Sequence, residues 1–296
     1  MPERAKQRPI PAKGYLIDAL GRGGYAVTDG TYNFMFFVGT RGVVAVDAPA
    51  AMGPRILQAI REKTRKPVTH VVYSHEHFDH IGAANLYPKS AKIYAHEATA
   101  WMLRQTPDVN RPAPDVTFSG RGRYTLRAQG VVLHLDYHGN NHQEGQLFVW
   151  APRQRVLLHI DIVFPRWAPF KQLAIAQYVP GYMKAIDKTL DYPFRYLVAG
   201  HLSKLATRAD VVEQQEYVRE LYDAAKKANG SVDYVAVTRG VDPENTWAQF
   251  ETYSDAVTAA CVELMPKDWL TRIGGADVWL DDNCFTMSEA QRIHNF

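Results

Sequence analysis

One short segment of the chain concentrates metal-binding side chains directly after a predicted strand. Residues 74–80 read Ser-His-Glu-His-Phe-Asp-His, and residues 68–73 before them form an apolar run typical of a buried strand. Side chains two positions apart on an extended chain point the same way, so His75 and His77 can converge on one cation. The segment therefore predicts a fold in which a buried strand ends at an ion-binding site.

After His77 the chain turns into a predicted helix over residues 81–86, which directs Asp79 and His80 toward a second position. Neutral imidazole and carboxylate are the groups that bind zinc, iron or manganese in sites built from nitrogen and oxygen. The alternative is a solvated polar loop in which Asp79 only caps the helix. We favour the metal site, because chance is a poor account of three histidines and an aspartate within six positions.

Strands and helices alternate along the first half of the chain, strands dominate the middle, and helices dominate the end. This order predicts two sheets packed face to face with helices outside. Strands are predicted at residues 15–20, 25–28, 33–38, 42–46, 68–73, 92–95, 116–124, 131–137, 147–150, 156–160 and 196–199, and helices at 54–63, 81–86, 97–104, 182–190, 210–227 and 246–264.

The composition gives no support for nucleic acid or membrane as a partner. Of the 296 residues 46% are hydrophobic and 22% are charged, as in globular proteins with a sizeable core. The net charge of +3 is too small to indicate nucleic-acid binding, and no run of 18 uncharged apolar residues is present to span a membrane. We therefore expect a small-molecule substrate, with no nucleic acid and no membrane as partner; a homo-oligomer stays open.

The N-terminal residues and the two cysteines indicate in which cellular compartment the protein is expected. The start is basic but lacks an apolar segment behind it, so it does not resemble a signal peptide and a cytoplasmic location is the default. A chain from which a leader had been removed would begin in the same way, so an exported location stays open. Cys261 and Cys284 either form one disulfide or remain buried thiols. A bridge across the 22 intervening residues would add about 3 kcal/mol of stability and favour an exported location.

The pattern His75-x-His77-x-Asp79-His80 after a strand resembles the metallo-β-lactamase-fold hydrolases, as does Asp47 at an earlier strand end. The resemblance runs from about residue 25 to about residue 204. It implies an α/β fold, a four-layer αββα sandwich of two mixed β-sheets with outer helices, extended by C-terminal helices. The catalytic domain would be residues 15–204. Residues 205–296 would form a helical region that packs on the core, caps the site or builds a dimer interface.

The family has three further ligands at separated strand ends, and each has a counterpart here. His142 lies in Asn-Asn-His-Gln-Glu-Gly, where the family usually has Gly-His-Thr-x-Gly, so the flanking residues depart. Asp161 matches the bridging carboxylate, although His159 and Ile160 replace the usual glycine before it. His201 follows Ala-Gly and precedes Leu202, where the family usually has a second glycine.

The resemblance implies two Zn²⁺ ions per chain, with iron or manganese as alternatives. One metal would take His75, His77 and His142, the other Asp79, His80 and His201, and Asp161 would bridge them. Asp47 and His159 would support ligands from behind. The alternative for Asp47 is to cap the turn before Pro49, and the alternative for His159 is a packed core residue.

A pair of metals held by these residues would supply an activated water as the nucleophile, and Asp79 would orient it or accept a proton. The predicted function is hydrolysis of a small-molecule ester, lactone, thioester or amide. A β-lactam hydrolase and a non-haem iron dioxygenase on the same fold are the alternatives. A nuclease and a non-catalytic member of the fold are disfavoured by the weak charge and the complete ligand set.

The segment after Asp161 is rich in aromatics and prolines and is predicted to form a rigid loop beside the metals. Trp167 and Phe170 are expected to line an apolar pocket, with a polar substrate group held by a cation or hydroxyl. The candidates for that contact are Arg166, Lys171 and Tyr178. The alternative is a loop that only packs on the outer helices.

Overall fold

The computed structural model describes all 296 residues, which form twelve strands, ten segments labelled α1 to α10 and two short 3₁₀ turns, Glu3–Ala5 and Ala84–Leu86. The strands are β1 Leu16–Gly21, β2 Gly24–Thr28, β3 Asn33–Val38, β4 Val43–Val46, β5 Val68–Val72, β6 Lys92–His96, β7 Val116–Phe118, β8 Gly122–Ala128, β9 Val131–Tyr137, β10 Phe148–Ala151, β11 Val156–Leu158 and β12 Tyr196–Val198. The helical segments are α1 Arg55–Lys63, α2 Phe78–Ile81, α3 Glu97–Gln105, α4 Lys171–Ile175, α5 Val179–Thr189, α6 Arg208–Ser231, α7 Tyr234–Thr238, α8 Thr246–Leu264, α9 Trp269–Arg272 and α10 Leu280–His294.

The strands form two mixed sheets. The first has seven strands in the order β1 to β7, antiparallel from β1 to β4 and parallel from β4 to β7. The second has five strands in the order β12-β11-β10-β9-β8, with one parallel pair, β11 and β12. The predicted fold class, an αββα sandwich of two mixed sheets with C-terminal helices, is confirmed.

Alternation along β3 shows how the layers pack. Phe34 and Phe36 point to an outer core that includes Ile56 of α1, whereas Met35 and Phe37 point into a core between the two sheets. Because successive strand side chains face opposite ways, a strand covered on both faces is apolar throughout.

The C-terminal helices cover the outer face of the second sheet. Phe148 of β10 and Leu197 of β12 belong to one core cluster with Tyr217 of α6 and residues of α8 and α10. Cys261 and Cys284 are joined as a disulfide that links α8 to α10. None of the helices is long and apolar enough to cross a lipid bilayer.

Most predicted elements are present within one or two residues, and two predictions are wrong. The single strand predicted at 116–124 is two strands in different sheets, because the chain turns at Gly120, which has a φ of +72°, before β8 begins at Gly122. The helix predicted at 81–86 instead begins at Phe78, since His77 is the last extended residue, and a 3₁₀ turn follows at Ala84–Leu86. The sequence did not predict four of the helical segments, α4, α7, α9 and α10.

Candidate metal centre

Strand ends and the loops that follow them bring all seven predicted ligands to one place. His75 and His77 follow β5, Asp161 follows β11, and His201 follows β12. The ligand atoms form two groups, each with its atoms within 4.8 Å of one another: His75, His77, His142 and Asp161, and Asp79, His80 and His201.

The backbone at Asp161 is shaped for this convergence. Asp161 has a φ of +56°, a left-handed conformation that aspartate tolerates better than most residues. Gly200, before His201, packs directly against it. A Cβ on Gly200 would lie 2.3 Å from Oδ1 of Asp161, so only glycine fits there.

The Asp161 carboxylate lies at the centre of the cluster. Its Oδ2 is 3.0 Å from His80 Nε2, 3.3 Å from His142 Nε2 and 3.6 Å from His75 Nε2. Its Oδ1 is 3.1 Å from His201 Nε2, so this one side chain contacts imidazoles of both groups. The Asp161 side chain therefore lies between the two groups of potential ligands.

Although some of these atoms lie close to other ligand side chains, several of them make no well-directed hydrogen bond within the protein. They are His75 Nε2, both ring nitrogens of His80, His142 Nδ1 and Asp161 Oδ1. Leaving a buried polar atom unpaired costs about 1–3 kcal/mol, so a cluster of them in one place needs a ligand. The donor set contains only imidazole nitrogen and carboxylate oxygen, which suits zinc, iron or manganese. The residues present therefore fit a metal centre.

Neighbouring groups orient two of the imidazoles. Ser74 Oγ lies 2.9 Å from His75 Nδ1, and the carbonyl oxygen of Thr31 lies 3.1 Å from His201 Nδ1. These contacts leave Nε2 of both rings directed into the cluster, the arrangement expected of metal-binding histidines.

Asp47 acts on the centre through the backbone. Its Oδ1 accepts a hydrogen bond from the N–H of Ser74 at 2.7 Å, which fixes the strand end before His75, and it makes no hydrogen bond to an imidazole. Complete burial raises the pKa of Asp47 to about 7.

His159 lies in the core of the second sheet. Its Nδ1 contacts Thr189 Oγ1 at 2.9 Å, and its ring lies 3.7 Å from that of Phe148. It contacts none of the seven ligand side chains through a hydrogen bond, which matches the alternative of a packed structural histidine.

The electrostatics favour the ligand forms of most groups. Burial lowers the pKa of His142 to about 4, and that of His75 well below its usual value, so both rings are neutral at pH 7. Burial opposes the charge on Asp161, but His80 and His201 hold its pKa well below the usual range. Burial also disfavours protonation of His80, but Asp161 outweighs it and raises the pKa of His80 to about 9.

The ligand cluster forms the floor of a cavity of about 670 Å³ with mainly apolar walls. Trp167 and Phe170 line it, as the sequence predicts. The remaining lining residues are Gly30, Thr31, Tyr32, His77, Asp79, His142, Asp161, Phe164, Ala168, Ala174, Ile175, His201, Leu202 and Trp279.

One wall of the cavity is the segment α4, whose residues 172–175 all have φ between +53° and +60°. Four consecutive non-glycine residues in the left-handed region are strained, at about 1–2 kcal/mol each. Asn283 of α10 holds this turn: its Oδ1 accepts the N–H of Leu173 at 2.7 Å, and its Nδ2 donates to the carbonyl of Pro169 at 3.1 Å.

Three residues predicted to contact substrate lie outside the cavity lining. Arg166 has a φ of +65° and turns away to pair with Asp210 at 3.1 Å. Lys171 pairs with Asp282 at 3.4 Å, since α10 lies beside it. Tyr178 precedes α5 and packs its ring edge-on against His294.

The sequence reading missed Tyr32 and Trp279 among the lining residues. Tyr32 lies in the turn before β3, and its ring is 5.0 Å from that of His201. Trp279 comes from the C-terminal region and packs against Phe170, with ring centroids 5.3 Å apart. Leu202 also lines the cavity, and its place next to the ligand His201 could have suggested it. No local sequence pattern marks Trp279.

Comparison with protein-family models matches residues 27–201 to the metallo-beta-lactamase superfamily. The chain is 31% identical over 230 residues to 2,4-dinitroanisole O-demethylase subunit alpha of a Nocardioides strain, covering 75% of this chain. It is 27% identical over 128 residues to metallo-beta-lactamase IND-1 of Chryseobacterium indologenes, covering 42% of this chain. The matched regions span 65% and 52% of those two relatives.

Solved structures share the fold at lower identity. A metallo-beta-lactamase from Pontibacter korlensis aligns with a TM-score of 0.59 and 20% identity, over 68% of this chain and 97% of that one. The sec-alkylsulfatase Pisa1 from a Pseudomonas species aligns with a TM-score of 0.63 and 16% identity, over 95% of this chain and 50% of that one. The second alignment extends into the C-terminal helices.

Proposed function

Because the chain belongs to the metallo-β-lactamase superfamily, whose members are metal-dependent hydrolases, we propose that it is a binuclear zinc hydrolase of apolar, uncharged small molecules. The observation that carries the proposal is the position of Asp161. Its carboxylate contacts imidazoles of both ligand groups at the floor of an apolar cavity.

Each of the two ligand groups would bind one metal ion. His75, His77 and His142 would hold one ion, Asp79, His80 and His201 would hold the other, and Asp161 would contact both. Divalent ions in such a pair lower the pKa of water to about 7 and polarise the bond to be cleaved.

Asp79 is the residue best placed to handle a proton. Its side chain is 40% exposed and lines the cavity, while Oδ2 lies 3.3 Å from His80 Nε2. A carboxylate at the cavity rim can orient the attacking water or accept its proton and pass it to solvent.

The wall composition favours substrates without charge. The cavity lining contains no lysine or arginine. Arg166 and Lys171, which flank the lining residues Trp167 to Phe170 in the sequence, are paired with Asp210 and Asp282. An anionic substrate would lose solvation without gaining a cationic side chain. Phe164, Trp167 and Trp279 would instead bury an apolar or aromatic group.

We rank ester and lactone hydrolysis first, ahead of thioesters and amides. Cleavage of an activated aryl ether is a second candidate, because the relative with 31% identity over 75% of this chain is a 2,4-dinitroanisole O-demethylase subunit. β-Lactam hydrolysis is less favoured, since β-lactam antibiotics carry a carboxylate. Iron-dependent dioxygenation remains the alternative from another reaction class.

Elemental analysis combined with a substrate panel tests the proposal. The panel contains aryl esters, lactones, an aryl thioester, 2,4-dinitroanisole and a chromogenic cephalosporin. We expect about two zinc ions per chain, hydrolysis of a neutral substrate, loss of activity on chelation and recovery with zinc. Full activity after complete metal removal would contradict the proposal, and iron with oxygen consumption would support the dioxygenase.

A further inference from the structure

A second cavity lies behind the loop that walls the metal pocket. Phe164 and Trp167 face the metal pocket, whereas Pro165 and Arg166 between them face a surface cavity of about 510 Å³. Its lining residues are Arg4, Arg8, Pro165, Arg166, Lys204, Leu205, Thr207 and Asp210. No metal ligand belongs to this set, so the two cavities are chemically distinct.

Cationic side chains predominate in the lining of this cavity. Four cationic side chains line it, Arg4, Arg8, Arg166 and Lys204, against the single carboxylate of Asp210. They come from distant parts of the chain, the N-terminal segment, the loop after β11 and the loop after β12. Tertiary folding therefore brings these like charges together, at a cost unless a counter-charge is near.

Acidic groups behind the cavity hold two of the cations in place. Asp18 accepts two hydrogen bonds from Arg8, at 2.8 and 2.6 Å, and the Arg8 Nε donates to Ser203 O. Glu213 contacts both terminal nitrogens of Arg4 at 3.0 Å. Neither Asp18 nor Glu213 lines the cavity, so they fix the arginines without occupying it.

Arg166 and Lys204 keep most of their donors free. Arg166 contacts Asp210 through Nε at 3.1 Å, which leaves its two terminal nitrogens without a protein partner. Lys204 Nζ donates one hydrogen bond, to the Arg4 carbonyl at 2.7 Å, and has two further protons. A guanidinium fork beside an ammonium group matches the geometry of a tetrahedral oxyanion.

The titration of Lys204 is consistent with an excess of positive charge. Burial lowers the pKa of Lys204, and Arg166, Arg4 and Arg8 lower it further, against the opposing effect of Asp210. An anion in the cavity would relieve this repulsion.

We propose that this cavity binds a small anion that carries a phosphate or sulfate group, with Arg166 and Lys204 as its main contacts. The site is separate from the metal centre and independent of the function proposed above. The indole Nε1 of Trp167 donates to Ala5 O at 2.9 Å, next to Arg4, so the loop shared by both cavities is tied to the anion site.

Calorimetric titration of inorganic phosphate into the full-length, metal-loaded protein tests the site, with a repeat after metal removal to identify phosphate at the metal centre. Phenyl phosphate serves as a second probe, because tighter binding of the ester would identify an organic phosphate rather than the free ion. Lys204→Gln is the main variant, since its ammonium contacts only a backbone carbonyl. Lys171→Gln, on the same segment of chain as Arg166 but outside the cavity, is the matched control.

We expect one site per chain that persists without metal, at least tenfold weaker binding in Lys204→Gln, and unchanged binding in Lys171→Gln. Arg166→Lys, which keeps the charge and the pairing with Asp210 but loses the fork, should also weaken binding, with thermal unfolding confirming that it is folded. No saturable binding of either probe, or equal affinity in wild type and Lys204→Gln, would overturn the proposal.

Discussion

The side chain of Asn283 bridges the two ends of the left-handed turn α4, accepting the N–H of Leu173 and donating to the carbonyl of Pro169. Asn283 is fully buried on α10, in the C-terminal region, whereas the turn forms a wall of the metal pocket. A side chain from the helical region therefore holds one wall of the cavity above the ligand cluster.

Replacing Asn283 with alanine should lower the free energy of unfolding by about 2 kcal/mol, because it leaves two buried backbone groups unpaired. The wall formed by α4 would relax, so KM should rise more than kcat falls. Urea unfolding and steady-state kinetics measure the two effects. Thr286→Ala, a half-buried position on the same helix, is the control, and a KM that is the same in Asn283→Ala as in wild type would contradict the expected role.

Removing the aromatic wall contributed by the C-terminal region should weaken substrate binding. Trp279→Ala is expected to raise KM for a neutral aryl substrate about tenfold, since burying a large apolar group is worth roughly 1.5–3 kcal/mol. Trp247→Ala is the matched control, because that indole is 82% exposed and lies outside the cavity. Equal kinetics in the two variants would exclude Trp279 from the substrate site.

Asp161→Asn should reduce bound metal from two ions toward one or none and lower hydrolysis at least 100-fold. The amide keeps the size of the side chain but removes the negative charge that both ligand groups contact. Elemental analysis and kcat/KM measure the loss, with the exposed Asp255→Asn as control. A variant that kept two metals and wild-type turnover would show that Asp161 does not bridge.

Zinc binding by metal-free protein should release protons at pH 7. Burial opposes protonation of His80, but Asp161 raises its pKa to about 9, so the ring is protonated at pH 7 and must become neutral to bind metal. The apparent affinity should therefore rise with pH up to about 9 and then level off. Titration calorimetry in two buffers of different ionisation enthalpy measures the release, and buffer-independent heats would disprove it.

Reduction of the Cys261–Cys284 disulfide should cost about 3 kcal/mol of stability, because the bridge closes a loop with a sequence separation of 23 residues. Denaturant unfolding with and without a phosphine reductant measures this cost. The double variant Cys261→Ser, Cys284→Ser provides the control, since its stability should not respond to the reductant. An identical transition for oxidised and reduced wild type would rule out the expected contribution.

The ligands could be predicted from the sequence because they lie in segments that adjoin strand ends, and the strands are marked by apolar runs. His75, His77, Asp79 and His80 are also adjacent in the chain, so the local pattern alone identified them. His142, Asp161 and His201 followed from the resemblance to a family. All seven lie together in the structure.

The substrate pocket was predictable only in part, because side-chain direction there depends on backbone conformations that leave no mark in the sequence. Arg166 follows an apolar segment and looks well placed for substrate, yet a positive φ turns it toward Asp210. The left-handed turn α4 contains no glycine, the residue that usually marks such a conformation. Its cause, Asn283, is more than 100 residues away.

The second sheet and the C-terminal helices share one core, so the chain cannot be shortened to its first 204 residues without loss. Truncation after residue 204 would expose Phe148 and Leu197 to water and remove both Trp279 and the anchor of α4. We expect such a fragment to aggregate. Even if it bound metal, it would lack the cavity wall that we expect to select among substrates. Directed evolution toward new substrates should therefore randomise α10 along with the loops around the ions.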